Sequence, residues 1–235
     1  MNVLTLIENW EGQFKKTSLE TLSYGKNLAD KIGAKLIAIT YSGENPEKLA
    51  QYGADKIINI SNGSFESITN HTIADNCIEL IKEHEANYLI ISNTNLGKAI
   101  GPLISNDESI GYISNAIEKP INLKPLTVKC KAFSGKAYAT YQSNYEKNII
   151  SIVPNSIGEI TNNSSTGEVI NIEKTINEKI QIITRNKSNE KISLSDAEIV
   201  VSAGRGLKSA DNWDMIEELA NTLGAGTACS KPVSD

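Results

Sequence analysis

The stretch Ala197-Glu198-Ile199-Val200-Val201-Ser202-Ala203-Gly204-Arg205-Gly206-Leu207, followed one helix later by Ala228-Cys229-Ser230-Lys231-Pro232-Val233-Ser234-Asp235, decides how this chain is read. An apolar run ending in small residues reads as a strand, and Gly204-Arg205-Gly206 as a turn. Ser209 then caps a helix with Trp213, Ile216, Leu219, Ala220 and Leu223 on one face. Gly224 stops that helix, and Gly226-Thr227-Ala228-Cys229 is a second short strand. Strand, glycine turn, helix and strand form the usual frame for a phosphate-bearing cofactor. Two strands and one helix bury no core of their own, so only the opening of such a cofactor domain is expected here, in a C-terminally truncated sequence.

Upstream, the first ninety residues alternate strand and helix. Strands are expected at Val3 to Ile7, Leu36 to Ile39, Ile57 to Ile60 and Tyr88 to Ile91. Thr17-Ser18-Leu19-Glu20 has the form of a capping box before a helix that Gly33 ends, and Pro46 to Tyr52 is a short helix. A helix bearing Ile73, Ala74, Cys77, Ile78 and Ile81 precedes the fourth strand, and another runs from about Leu96 to Leu103. This rhythm predicts a parallel sheet with helices on both faces.

From Ser109 the pattern becomes strand-rich, with Gly111-Tyr112-Ile113, a hairpin of Leu126 to Phe133 and Ala137 to Tyr141 about Ser134-Gly135, and Asn148 to Val153. These are expected to extend the first sheet in antiparallel fashion. Asn155 to Gly167 reads as a surface loop, Val169 to Ile172 and Ile180 to Thr184 as strands, and Asn186 to Glu190 as a linker. A first domain of residues 1–190 and the start of a second at 191–235 follow.

Net charge is −5, and Arg185 and Arg205 are the only arginines, so no basic stripe suited to nucleic acid is present. The apolar runs are too short to insert in a membrane, and the N-terminus lacks a secretory pattern. Cys77, Cys130 and Cys229 are odd in number and widely spaced, which fits a reducing cytoplasm. His71 and His84 are separated by roughly 20 Å of helix, too far to share a metal. No nucleophile, base and acid fall into a hydrolytic grouping.

Gly204-Arg205-Gly206 is the sharpest local signal: bare glycine amides approach an anion, and a guanidinium pairs a phosphate or polarises a ring carbonyl. A simple strand-to-helix turn is the plain alternative, since Ser209 stands where a third glycine of a dinucleotide fingerprint would fall. Ser230-Lys231 follows the second strand at its C-terminal end, the edge where open sheets hold ligands, or else is a capping serine and a solvated lysine. Asn93-Thr94-Asn95-Leu96-Gly97-Lys98 offers amides, a lysine and a helix start to an anion, against a simple capped helix. Ser105-Asn106-Asp107-Glu108 reads as a solvated loop, Cys229 as a small buried residue, and Trp10 and Trp213 as packing residues.

Together these stretches resemble the α-subunit of electron transfer flavoprotein. Leu4-Thr5-Leu6-Ile7-Glu8 with Lys15-Lys16-Thr17-Ser18-Leu19-Glu20 is similar to the family's opening, Tyr52-Gly53-Ala54-Asp55-Lys56 to its third-strand entry, and Asn95-Leu96-Gly97-Lys98 and Ser134-Gly135-Lys136-Ala137 to later turns. The GRGL stretch and the serine-basic-proline stretch are the specific part. The resemblance implies an adenine-nucleotide hydrolase-like α/β domain, then the start of a Rossmann-like FAD-binding domain. It implies a heterodimer with a β-subunit, FAD as cofactor, and an electron carrier rather than a substrate-converting enzyme. Electrons would arrive from dehydrogenases, such as the acyl-CoA dehydrogenases of fatty acid β-oxidation, and leave to a quinone oxidoreductase. By position, Gly204, Arg205 and Gly206 would contact FAD, with Ser230 and Lys231 near the flavin ring. The family's usual residue at Lys231 is arginine; lysine keeps the charge that favours a reduced, anionic flavin and loses the planar fork. The family's later flavin loops have no counterpart, so FAD binding would be incomplete. Two rival readings are a nucleotide-binding regulatory module using the Asn93 to Lys98 turn, and a structural partner subunit without a redox role.

Overall fold

The structure, a computed structural model, describes residues 2–106, 109–161, 166–176, 180, 182–184, 194, 197 and 199–234. The chain divides into two compact units, Met1–Ile182 and Ile183–Asp235. That division falls ahead of residue 190; the linker expected at 186–190 lies outside the described residues, as do Asp107 and Glu108.

In the first unit, β1 (Asn2–Leu6) passes through a small hairpin, β2 (Asn9–Trp10) and β3 (Gln13–Phe14), into α1 (Lys16–Ile32). Next come β4 (Lys35–Tyr41), a 3₁₀ segment (Pro46–Tyr52), β5 (Lys56–Ile60), α2 (Asn70–Glu83), β6 (Ala86–Ser92) and α3 (Asn95–Ser105). The remaining strands are β7 (Ile110–Ala116), β8 (Asn122–Leu123), β9 (Leu126–Ala132), β10 (Ala137–Ser143), β11 (Lys147–Ile152) and β12 (Glu168–Ile172). They form one ten-stranded sheet in the order β10-β9-β7-β11-β6-β1-β4-β5-β12, with β8 beside β9.

The near-continuous apolar runs of β1, β4 and β6 follow from burial on both faces, as a helix-covered parallel sheet requires. Val3, Leu36, Ala38, Tyr88 and Ile90 pack with Leu22, Leu28 and Ala29 of α1. Their neighbours Leu4, Leu6, Ile37, Ile39, Leu89 and Ile91 pack with Ile73, Cys77 and Leu80 of α2 and Ile100 and Ile104 of α3. The two sides of each strand thus serve two separate cores, and α1 ends at Gly33 in the left-handed region at φ +65°.

Three expectations need correction. First, β7 and β11 are not antiparallel: β11 runs parallel to both β6 and β7, and only β8, β9 and β10 form the antiparallel extension. Strand composition specifies extended backbone but not the direction of a long-range partner. Second, Thr17 and Glu20 form no capping box. The cap of α1 is Lys15, with no side-chain bond, and Thr17, Ser18 and Glu20 are buried. The Ser18 hydroxyl accepts the Glu8 amide at 2.9 Å, while the Glu20 carboxylate accepts the amides of Asn155, Ile157 and Gly158. Ser23, one turn on, accepts the Ile160 amide at 3.0 Å. α1 thereby holds the segment that carries the chain from β11, in mid-sheet, to β12 at the far edge. Third, residues 180 and 182–184 belong to no strand.

In the second unit, β13 (Val200–Ala203), α4 (Asp214–Leu223), β14 (Gly226–Cys229) and α5 (Lys231–Ser234) realise the strand, turn, helix and strand read from the sequence. β13 and β14 pair in parallel, Gly224 ends α4 at φ +62°, and Ser209 caps a 3₁₀ turn ahead of α4 by accepting the Asp211 amide.

Candidate functional site

The register of the second unit brings its two signals together. Ala203 lies opposite Cys229, and the Ser230 amide donates to the Ala203 carbonyl at 3.0 Å. Gly204 and Ser230 are therefore neighbours at the C-terminal edge of both strands, where α/β sheets hold ligands. A Cβ built on Gly204 would come within 3.7 Å of the Ser230 Oγ, and one built on Gly206 would touch nothing. Gly204 sits at φ −129°, a conformation open to any residue. Its backbone does not require glycine; the absent side chain leaves the amide face bare.

Arg205–Leu207 form one 3₁₀ turn. The amides of Arg205 and Gly206 donate to no protein acceptor among the described residues. Arg205, Ser230 and Lys231 are exposed. Two unengaged amides, a guanidinium, a hydroxyl and an ammonium at one strand edge suit the diphosphate and polar ring atoms of a dinucleotide cofactor.

Sequence reading missed how this turn is held. Lys208 lies at φ +66° and ψ −37°, and the Ser209 amide reaches back to the Leu207 carbonyl at 2.8 Å. That is a γ-turn of the rare positive-φ kind, unfavourable for a residue with a Cβ. The Asn212 side-chain amide donates to the same carbonyl at 2.7 Å. A strained residue fixed directly after a loop with free donors is a recurrent arrangement at binding sites. Its only sequence signal was a lysine following GRGL.

The Asn93 to Lys98 turn also lies at a strand edge, between β6 and β1, where the sheet order reverses. The side chains of Asn93 and Thr94 are spent internally, while Asn95 and Lys98 are exposed. Thr94 caps α3 by accepting the Gly97 amide at 3.1 Å and donates to the carboxylate of Glu8, which is 5% exposed. Lys15 lies 4.0 Å from the other Glu8 oxygen. The Asn93 side chain donates to Asn115 and accepts from Ser151, each at 2.7 Å. The capping hydroxyl of Thr94 is itself held by a buried acid, so the capped-helix reading of this turn holds. Glu8 was not singled out from sequence because a lone acid after a strand carries no pattern.

The remaining candidates are packing groups or surface. Burial pushes the Cys77 thiol up to about 12 and the Cys130 thiol up to about 11, which keeps both protonated. Cys229 is half-buried, as is Trp213, and Trp10 is 39% exposed. Among the described residues no helix is long and apolar enough to cross a membrane.

Comparison with known proteins identifies the family. The family described as electron transfer flavoprotein domain matches residues 3–177, and that described as electron transfer flavoprotein FAD-binding domain matches residues 193–235. The electron transfer flavoprotein subunit alpha of Clostridium acetobutylicum is 28% identical over 243 residues, covering 97% of this chain and 72% of the relative. That of Bacillus subtilis is 25% identical over 240 residues, covering 99% and 73%. The lactate dehydrogenase (NAD(+),ferredoxin) subunit LctC of Acetobacterium woodii is 24% identical over 240 residues, covering 98% and 57%. With one family match spanning the sheet-bearing unit and a second spanning the strand-turn-helix-strand unit, the chain belongs to the electron transfer flavoprotein α-subunit family.

Proposed function

We propose that this chain is one half of a cytosolic heterodimer with an electron transfer flavoprotein β-subunit, that residues 1–190 form its N-terminal domain, and that residues 191–235 contribute to an FAD site. The observation that carries the reading is the adjacency of the Gly204-Arg205-Gly206 turn and Ser230-Lys231 across β13 and β14. Gly204 and Gly206 would admit the cofactor against bare amides, Arg205 would pair an anionic group, and Ser230 and Lys231 would set hydrogen bonding and charge near the ring. FAD supplies the electron storage, and these residues supply binding, orientation and field. Lys231 brings a point charge in place of a planar fork, so it stabilises negative charge without fixing its direction.

The electron-carrier role is that of the family. Its donors would be dehydrogenases, the acyl-CoA dehydrogenases among them, and its acceptor a quinone oxidoreductase; the dehydrogenase named in one relative supports a partner of that class. The free state of Cys77, Cys130 and Cys229 supports a reducing compartment. The reading is tested by purifying the chain co-expressed with a β-subunit and recording visible absorbance. Because FAD binding is expected to be incomplete, the pair is also titrated with FAD, and saturable uptake that perturbs the flavin spectrum is expected. A well-folded, colourless pair that takes up no added FAD would overturn it.

A further inference from the structure

We propose that the β9–β10 hairpin is the arm by which this chain grips its β-subunit, with an open strand edge flanked by acidic side chains on that subunit pairing along β10. The inference rests on the heterodimer proposed above and adds to it the surface and the mode of contact.

Four observations converge on the hairpin. β10 is the outer strand of the sheet, with β9 on its one paired side. It is seven residues long and reads Ala137-Tyr138-Ala139-Thr140-Tyr141-Gln142-Ser143, with no charge and no proline. Exposed edges are ordinarily blunted by such residues because their unpaired amides and carbonyls recruit another strand. The opposite edge, β12, is shorter and carries Glu168. Of the two edges of the ten-stranded sheet, the unblunted one is thus on the arm, as in a strand-addition site.

The arm also exposes aromatic surface: Phe133 at its tip is 77% exposed, Tyr138 64% and Tyr141 50%. Phe133 is held at φ +50°, and Ser134 and Gly135 follow at φ +51° and φ +84°. Two residues of positive φ suit a tight hairpin turn, but a bulky residue there is strained. The Lys136 ammonium lies 5.6 Å from the Phe133 ring centroid and that of Lys129 lies 5.0 Å from the Tyr138 centroid, yet both rings stay mostly exposed, so the arm presents aromatic faces together with cations.

The charge identifies the occupant. Residues 126–143 contain Lys129, Lys131 and Lys136 and no acid, in a chain of net charge −5. Glu118 pairs Lys129 at 2.6 Å, which leaves Lys131 and Lys136 without an acidic partner among the described residues. A second copy of the same arm would bring three more lysines and no acid to pair with them. An acidic edge is complementary and would be drawn in faster at low salt.

The test co-expresses the full chain with a tagged β-subunit and measures the chain recovered on the tag. The chain is taken as wild type, as Phe133→Gly with Tyr138→Ser, and as Lys131→Glu with Lys136→Glu. At least a tenfold loss of recovery is expected for both double variants, and salt should weaken recovery of the wild type more than of the lysine variant. The thermal midpoint of the Phe133→Gly single variant should be unchanged or higher, because glycine relieves the positive φ; a merely structural role predicts a lower midpoint. Equal recovery of wild type and variants would overturn the arm and leave the heterodimer standing. Failure of the wild type to bind any β-subunit would overturn both. A homodimer of the wild type that the variants abolish would show the occupant to be a second copy, also overturning the proposal.

Discussion

Gly97→Ala should lower the stability of the N-terminal unit by about 3 kcal/mol, a drop in melting midpoint of roughly 6–12 °C. A Cβ at this position would lie 1.8 Å from the Ser92 carbonyl oxygen, and 3.0 Å from its carbon. Both atoms are backbone of β6, so no rotamer change relieves the overlap. The close approach arises because Asn93 and Thr94 alone connect β6 to α3, and Thr94 caps the helix through the Gly97 amide. The first turn of α3 is thereby laid over the last carbonyl of the strand. A methyl group there must push α3 outward, opening the contacts of Ile100 and Ile104 with the core on that face. Thermal unfolding followed by circular dichroism measures the loss, and a midpoint within a degree or two of the wild type would contradict the geometry.

The second large effect is expected at Glu20. Glu20→Ala should cost about 2–4 kcal/mol, because the amides of Asn155, Ile157 and Gly158 lose a charged acceptor in a partly buried place. Glu20→Gln should cost about half as much. Its single oxygen can still serve Ile157 and Gly158, as Oε1 does now, while its NH₂ group faces the Asn155 amide donor to donor. Hydrogen exchange offers a local reading: protection of residues 155–160 should fall in both variants, more in the alanine. Unchanged protection there would mean that α1 does not hold this crossing segment.

The contrast between these two residues shows what the sequence made legible. The first four parallel strands and the helical segments that follow them announce themselves through local periodicity, and so do the hairpin about Ser134-Gly135 and the left-handed stops at Gly33 and Gly224. Each depends on residues within a turn or two of one another. The place of β11 in mid-sheet does not, since its partners β6 and β7 were chosen by burial of Ile149, Ile150 and Ile152 on both faces. Glu20 misled for the same reason: Thr-Ser-Leu-Glu matches a capping box locally, but its carboxylate is claimed by amides more than a hundred residues away. In the candidate site, the adjacency of the GRG turn and Ser230 was legible because parallel strands joined by one helix must end at the same edge. The positive φ of Lys208 and the carboxylate of Glu8 over Thr94 were not, as neither has a sequence pattern of its own.

The central claim is that Arg205, set between two glycines and beside Ser230, reaches a bound dinucleotide. Titration of FAD into the heterodimer of this chain with its β-subunit, comparing wild type with Arg205→Ala, tests it most directly. Loss of a charge-assisted hydrogen bond worth about 1.5–3 kcal/mol should raise the FAD dissociation constant by roughly 10- to 100-fold. An Arg205→Ala heterodimer that binds FAD as tightly as the wild type would contradict the claim.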